Sequence, residues 1–195
     1  MNYYENQLIK YKSHEKDIRR WYVGQERFLK EWFNFPKNLR ILDISCGDGI
    51  GLKYLKELGF QNVVGVELEK EKAGLAQQYG YPVFNIDMHD LSVLEEKYFD
   101  IVYSSHTIEH SYDPIKVIEE IKRILKSDGI FVVVLPYVDS GPFDAHCGKE
   151  ILGTNKADNA VSVRKFFEDT GFKISRWQLD SFREPEIWLQ LYQEK

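Results

Sequence analysis

Residues 41–51 read ILDISCGDGIG, an apolar, β-prone run that ends at an acid and is followed by small residues. A helical pattern begins at Leu52, so this stretch predicts a strand, a tight turn and a helix. Glycines at positions 47 and 49 let the backbone turn and let a ligand approach the main chain closely. The free N–H groups of the new helix favour an anionic group beside them. The turn is therefore predicted to bind a nucleotide or a nucleotide-like ligand.

Composition bounds the class of protein. The chain has 195 residues, of which 43% are hydrophobic and 29% charged, as in globular proteins. Its net charge is -5, whereas a nucleic-acid-binding protein is expected to carry an excess of positive charge. Cys46 and Cys147 have no metal or redox spacing, and no segment has the pattern of a signal peptide or membrane span. We therefore expect a soluble cytoplasmic monomer or homodimer, with no nucleic-acid or membrane partner.

The rest of the chain alternates between strand and helix patterns. Strands are predicted over residues 40–44, 62–68, 82–86, 99–104, 130–135, 172–179 and 186–192, and helices over 51–58, 69–79, from 114 onward and 161–171, with a helical turn at 91–94. This order predicts an α/β fold with a parallel sheet, whose two closing strands are antiparallel because their connection is short. Residues 1–36 form a helical extension, residues 37–195 form the domain, and residues 136–160 form a long loop.

Four motifs, in this order, resemble those of class I S-adenosylmethionine-dependent methyltransferases, especially the small ones that act on small molecules. LDISCGDG at residues 42–49 is similar to the family's first motif, although Ser45 replaces its usual first glycine. Glu67 and Asp87-Met88 follow the second and third predicted strands, and SSHTIEHSYDP at residues 104–114 resembles the fourth motif. The resemblance implies a Rossmann-like, doubly wound seven-stranded sheet with the last strand antiparallel. It also implies S-adenosyl-L-methionine as the cofactor.

The resemblance implies a role for each acid at a strand end. Glu67 accepts hydrogen bonds from both ribose hydroxyls, and Asp87 accepts one from the adenine amino group, unless it is only a turn residue. Asp43 either binds the methionine ammonium or only stabilises the turn by hydrogen bonds. The predicted cofactor-binding residues are Asp43, Ser45, Cys46, Gly47, Gly49, Glu67, Leu68, Asp87, Met88, Ser104, Ser105 and His106.

Three histidines are candidates for the catalytic base: His106, His146 and His110. The methyl group of a sulfonium is already activated, so the protein mainly aligns the acceptor and takes its proton. His110 is alternatively structural, and His146 is alternatively a surface loop residue. A metal site that combines these histidines with Cys147 has no supporting ligand spacing, so no metal is predicted.

The N-terminal helix is predicted to close over cofactor and substrate as a lid, with Tyr11, Arg19 and Tyr22 at the site. Packing on the sheet edge with solvated charges is the alternative for this helix. Residues 181–188 are a further candidate for the substrate wall. The predicted function is methyl transfer to an oxygen or nitrogen of a small-molecule acceptor. Methylation of RNA or protein, non-catalytic binding and NAD-dependent oxidation stay open. Leu52 stands where the dinucleotide-binding motif has its third glycine, which counts against binding of NAD.

Overall fold

The structure is a computed structural model, and it describes residues 18–138, 146–156 and 159–193. Its strands are β1 Arg40–Ile44, β2 Asn62–Val66, β3 Val83–Phe84, β4 Phe99–Ser105, β5 Leu125–Pro136, β6 Phe172–Asp180 and β7 Glu186–Gln193. Its helices are α1 Ile18–Trp32, α2 Ile50–Glu57, α3 Lys70–Ala76, α4 Pro114–Ile124, α5 Lys149–Leu152 and α6 Asn159–Asp169, with 3-10 turns at Gln77–Tyr79 and Ile108–His110.

All these strands form one sheet in the order β3-β2-β1-β4-β5-β7-β6. The pairs among β1 to β5 are parallel, while β7 is antiparallel to both β5 and β6. The predicted α/β sheet with an antiparallel last strand is confirmed. The strand order reverses between β1 and β4, and open α/β sheets bind ligands at the carboxyl ends of the strands beside such a reversal.

Strand β5 contributes to a core on each face of the sheet. Its residues 131–135 are fully buried. Phe131, Val133 and Leu135 face the core formed with α4 and α6, whereas Val132 and Val134 face the core formed with α1 and α2. Because successive side chains of a strand point to opposite faces, a strand covered on both sides is apolar throughout. That explains why this part of the sequence shows no alternation.

Helix α1 covers one face of the sheet. Its apolar positions include Phe28, Leu29 and Trp32, which are all buried. The Phe28 ring stacks on Tyr103 of β4 with centroids 5.7 Å apart and meets Trp188 of β7 edge-on at 4.9 Å. A helix in the N-terminal segment is thus confirmed over Ile18–Trp32. Tyr11 lies outside the described residues, and the division of the chain at residue 36 stays a prediction.

Three segments differ in detail from the sequence-based expectation, and one is the predicted loop 136–160, which contains helix α5 Lys149–Leu152. The helical turn predicted at 91–94 is an isolated turn, in which Leu94 N donates to Leu91 O at 2.8 Å. Helix α4 adds further contacts: Leu91 N donates to Glu120 Oε2 at 2.9 Å, and Arg123 donates to the carbonyls of Leu91 and Leu94. Strand β5 begins five residues earlier than predicted, at Leu125, and its pairing with β4 shifts register between Phe99 and Ile101. Among the described residues, no helix has both the length and the apolar character needed to cross a membrane.

Candidate active site

The turn after β1 has the left-handed backbone that glycine favours, and one position in it is a serine. Ser45 has φ 57°, Gly47 φ 58° and Gly49 φ 90°. The turn is closed by hydrogen bonds from Cys46 N to Val66 O and from Gly49 N to Cys46 O. Left-handed backbone costs an L-residue about 1–2 kcal/mol, which explains why related motifs carry glycine where this chain has Ser45.

Asp43 is a buried carboxylate at the end of β1. It is 2% exposed, and its Oδ2 has no hydrogen-bond partner in the described part of the chain. Burial, together with the charge of Glu67, raises the pKa of Asp43 well above its usual range. A side chain at position 51 would place its Cβ 2.4 Å from Asp43 Oδ2, so Gly51 is needed for this arrangement. A buried, unsatisfied carboxylate is unfavourable unless a cation or a donor completes it.

Glu67, the first residue after β2, braces the same turn from the next strand. Its Oε2 accepts a hydrogen bond from Gly47 N, and its Oε1 accepts one from Glu69 N, both at 2.9 Å. Burial raises the pKa of Glu67, although these two hydrogen bonds act in the opposite direction. A carboxylate has about four acceptor sites, so Glu67 can hold the turn and still accept hydrogen bonds from a ligand.

Asp87, which lies after β3, is held by a histidine that sequence analysis did not single out. Asp87 Oδ1 accepts a hydrogen bond from His89 N at 2.9 Å and lies 2.6 Å from His89 Nδ1. Next to Asp87, Met88 is buried in the core, and its Sδ lies 3.9 Å from Ser45 Oγ. Leu68, the other residue predicted to pack against a ring, is exposed.

His106 follows β4 and is surrounded by carboxylates. Its Nδ1 lies 3.2 Å from Glu184 Oε1 and 3.5 Å from Glu109 Oε1, and its Nε2 lies 3.2 Å from Glu186 Oε1. The contact with Glu186 lacks hydrogen-bond geometry, so that carboxylate acts on the ring as a charge. The ring edge of Trp21 in α1 covers the imidazole, with centroids 4.7 Å apart.

These carboxylates set the charge of His106. Burial and the Arg183 guanidinium lower the pKa of His106, but the three carboxylates outweigh both and raise it to about 10. Glu186 is buried as well, yet His106 and Arg183 lower its pKa to about 2. At neutral pH the site therefore contains an imidazolium, which can donate a proton but cannot accept one at its ring nitrogens.

The other two candidate bases lie on the far side of Glu109. Its Oε1 is 3.9 Å from His110 Nε2, and the His110 and His146 rings are 4.7 Å apart. Cys147 Sγ donates to His110 O at 3.1 Å, and Gly148 N donates to Glu109 O. The structure thus brings His106 and His110 to one buried acid, with His146 against the His110 ring. The residues it describes contain no group of His, Cys, Asp and Glu side chains that could hold a metal ion.

Helix α1 contacts both the turn after β1 and the connection between β6 and β7. The Tyr22 hydroxyl donates a hydrogen bond to Asp48 in the turn. Arg20 donates two hydrogen bonds to Phe182 O, at 2.8 and 3.0 Å, and Arg27 forms an ion pair with Asp180 at 2.7 Å. Arg19 is exposed on the same helix. Helix α1 therefore spans the distance between these two segments, and its role as a lid that opens and closes stays a prediction.

Comparison with known proteins shows which family the chain resembles. Residues 42–133, just under half of the chain, match the family model described as a methyltransferase domain. Over this segment the chain is similar to S-adenosylmethionine-dependent methyltransferases, and it shares their fold. The matched segment runs from the middle of β1 into β5, so it contains Asp43, Glu67, Asp87 and His106.

Individual known proteins are similar to part or most of this chain. An uncharacterized protein of Methanocaldococcus jannaschii is 27% identical over 180 residues, which cover 92% of this chain and 72% of that protein. Sarcosine/dimethylglycine N-methyltransferase of Aphanothece halophytica is 34% identical over 113 residues, which cover 53% of this chain but only 40% of that enzyme. The solved structure of a SAM-dependent methyltransferase from Aquifex aeolicus superposes with a TM-score of 0.67 at 18% identity, covering 98% of both chains, and thus shares the fold.

The site suits S-adenosyl-L-methionine as its cofactor. S-adenosyl-L-methionine carries an ammonium, a ribose diol and an adenine amino group, which are all hydrogen-bond donors. The described residues offer carboxylate acceptors at three neighbouring strand ends, and Asp43 Oδ2 is buried without a partner there. A Cβ at Gly47 would meet no atom within 4 Å, so the main chain of the turn is accessible.

Proposed function

We propose that this protein transfers the methyl group of S-adenosyl-L-methionine to an oxygen or nitrogen of a small-molecule acceptor. The observation that carries the proposal is the buried, unpartnered Asp43 carboxylate beside Glu67, at the point where the strand order reverses. A raised pKa shows that Asp43 is poorly stabilised as an anion by the protein alone. A cationic ligand group at this place supplies the missing stabilisation.

Each carboxylate of the site has a matching donor on the cofactor. Asp43 pairs with the methionine ammonium, Glu67 accepts hydrogen bonds from the ribose diol, and Asp87 accepts one from the adenine amino group. The backbone at Gly47 lets the amino-acid end approach the turn. When bound, the cofactor supplies an activated methyl group, and the chain's residues provide alignment and exclude water.

The acceptor side of the proposal centres on His106. Because His106 is an imidazolium at neutral pH and its Nδ1 lies 3.2 Å from Glu184 Oε1, it serves to hold the Glu184 carboxylate in place by charge. The side chain of Glu184 is 38% exposed, whereas the side chains of Glu109 and Glu186 are each 1% exposed. Glu184 is therefore the carboxylate of this cluster that an acceptor can reach, and we propose that it receives the acceptor's proton. His110 and His146 stay predicted alternatives for that role.

Two observations favour a small acceptor. The net charge of -5 disfavours nucleic acid, and the relative from Aphanothece halophytica is named for methylation of small amino-acid derivatives. That relative is more than twice as long as the segment it shares, so its substrate does not transfer directly. Oligomeric state, cytoplasmic location and the lid role of Tyr11, Arg19 and Tyr22 remain predictions.

Isothermal titration calorimetry with S-adenosyl-L-methionine tests the proposal. We expect binding in the micromolar range that is lost in Glu67→Ala. Glu69→Ala is the matched control, because Glu69 contributes its backbone N–H and not its side chain to the contact with Glu67. A folded wild-type protein that binds no S-adenosyl-L-methionine would refute the proposed function. Transfer of radiolabelled methyl to RNA or protein, but to no small molecule, would contradict the proposed acceptor class.

A further inference from the structure

A chain of short hydrogen bonds runs from Asp87 into the interior of the protein. His89 Nδ1 lies 2.6 Å from Asp87 Oδ1, and His89 Nε2 lies 2.6 Å from Ser111 Oγ. His89 is 1% exposed and Ser111 is completely buried. The ring of Tyr112 stacks on the imidazole at 3.8 Å, with the planes 15° apart. Both ring nitrogens and one face of this histidine thus have defined partners.

The donors along this chain have one consistent direction. Asp113 N donates to Ser111 Oγ at 3.0 Å, so the serine oxygen is an acceptor there and its hydroxyl hydrogen can point to His89 Nε2. A neutral imidazole that accepts at Nε2 carries its proton on Nδ1 and donates it to Asp87. The backbone N–H of His89 donates to the same carboxylate oxygen. Asp87 Oδ1 is therefore held by both the main chain and the ring of His89.

The residue types match the Ser–His–Asp arrangement of hydrolases, but the geometry serves another purpose. In those enzymes the serine hydroxyl is exposed to substrate. Here Ser111 is fully buried and accepts a backbone hydrogen bond at the start of α4. No acyl group could reach it. The chain is thus suited to positioning Asp87 and not to nucleophilic attack.

We propose that His89 is a positioning residue that orients the Asp87 carboxylate to select the 6-amino group of adenine over a 6-oxo group. The inference rests on the proposed function, because it assumes that Asp87 faces the adenine. An aspartate after a strand readily adopts turn conformations, so two donors from one buried residue are needed to hold its rotamer. An ionised carboxylate accepts a hydrogen bond from an amino group but repels an oxo group, because the carboxylate and the oxo group are both hydrogen-bond acceptors.

Calorimetry with two ligands separates this role from a purely structural one. S-adenosyl-L-homocysteine carries the 6-amino group, and S-inosyl-L-homocysteine carries a 6-oxo group in its place. The wild type is expected to prefer the adenosyl ligand about tenfold or more, the value of one oriented hydrogen bond to a charged group. His89→Phe fills the ring space and retains stacking on Tyr112, but it cannot donate to Asp87 through its side chain. In this variant the preference is expected to fall towards equality.

His89→Asn is the matched rescue, because its amide nitrogen can replace Nδ1 as a donor, and it should keep most of the preference. Ser111→Ala leaves the ring in place but removes its Nε2 partner, and it should reduce the preference by a smaller factor. These two variants decide the question if His89→Phe does not fold.

Each outcome has one meaning. A wild type that binds neither ligand refutes the proposed function itself. A wild type that binds both ligands equally leaves the cofactor intact and overturns the inference. The inference is also overturned if His89→Phe, or Ser111→Ala in its place, weakens both ligands by the same factor.

Discussion

Replacing Glu186 by glutamine tests whether the cluster around His106 is held together by charge. Glu186 is buried and accepts hydrogen bonds from Arg183 Nε at 2.6 Å, from Arg183 Nη2 at 3.1 Å and from Trp188 Nε1 at 2.9 Å. Its Oε1 also lies 3.2 Å from His106 Nε2. Glutamine keeps the size of the side chain but removes the negative charge. Two buried cations, Arg183 and the imidazolium, then lose a shared counter-ion.

The expected loss follows from the surroundings of the pair. A rise in the pKa of His106 from 6.5 to about 10 corresponds to roughly 5 kcal/mol, because each pH unit corresponds to about 1.4 kcal/mol. This energy is an upper limit for the contribution of Glu186, because Glu109 and Glu184 also raise the pKa of His106. Removing one partner of a buried ion pair costs about 3–5 kcal/mol in general. We therefore expect the free energy of unfolding of Glu186→Gln to fall by about 3 kcal/mol.

The pH dependence gives the sign of each contribution. The pKa of His106 is raised on folding, so its stabilisation is complete below about pH 6.5 and is lost as the pH rises through 10. The pKa of Glu186 is lowered to about 2, so its stabilisation is complete above about pH 4.5 and is lost as the pH falls towards 2. The difference between wild type and variant should thus be largest between about pH 4.5 and 6.5.

Urea unfolding at a series of pH values measures this difference. Asp169→Asn is the control, because it breaks an exposed pair with Lys165, whose side chains are 62% and 69% exposed. The control should lose far less stability than Glu186→Gln, because exposed ion pairs contribute little. A loss of less than about 1 kcal/mol for Glu186→Gln, or a loss that does not change between pH 6 and 10, would refute the charged state assigned to His106.

Three further substitutions test the turn after β1. Gly49→Ala should destabilise the protein by about 2–4 kcal/mol in urea unfolding, because its φ is 90° and its Cβ would lie 2.7 Å from Ala76 Cα. Gly74→Ala is its control in α3, where a Cβ meets nothing within 4 Å, and it should stabilise by about 0.5–1 kcal/mol. Ser45→Gly should stabilise by up to about 1 kcal/mol by relieving left-handed strain, and unchanged stability would argue against that strain. Asp43→Asn should leave stability equal or higher yet weaken S-adenosyl-L-methionine binding about 10–100-fold by calorimetry, and retained affinity would remove Asp43 from the site.

Much of the sheet could be predicted from the sequence because its signals are local. Strand β1 lies over residues 40–44 as predicted, since its apolar run is bounded by a glycine-rich turn. Asp113 accepts a hydrogen bond from Lys116 N and caps α4, as its position before Pro114 indicates. The turn at 91–94 has a local hydrogen bond from Leu94 N to Leu91 O, but its contacts with Glu120 and Arg123 could not be predicted, because they lie on a helix that comes later in the chain.

The acceptor side of the site was less accessible to sequence reasoning. His106 could be placed because it follows a strand directly. The carboxylates that charge it could not, because Glu186 reaches it through the pairing of Pro136 in β5 with the start of β7. The local signal for Glu186 is an acid at the head of an otherwise apolar strand, EIWLQLYQ, where a buried charge needs a partner. His89 carried no comparable signal beyond its place two residues after Asp87.

Backbone strain marks the same place as the buried charges. Three non-glycine residues in the described ranges have positive φ, namely Ser45, Lys97 and His106. Ser45 and His106 directly follow β1 and β4, which are neighbours in the sheet and pair in register up to Ile44 and Ser104. Left-handed backbone is unfavourable for both side chains, so it persists only where the surrounding contacts hold it. These contacts are Val66 O and Val134 O, which accept from Cys46 N and His106 N and fix the two strand ends at the reversal of the sheet. Strain and uncompensated charge are separate physical properties, and their coincidence at one pair of strand ends supports this location for the site independently of any sequence motif.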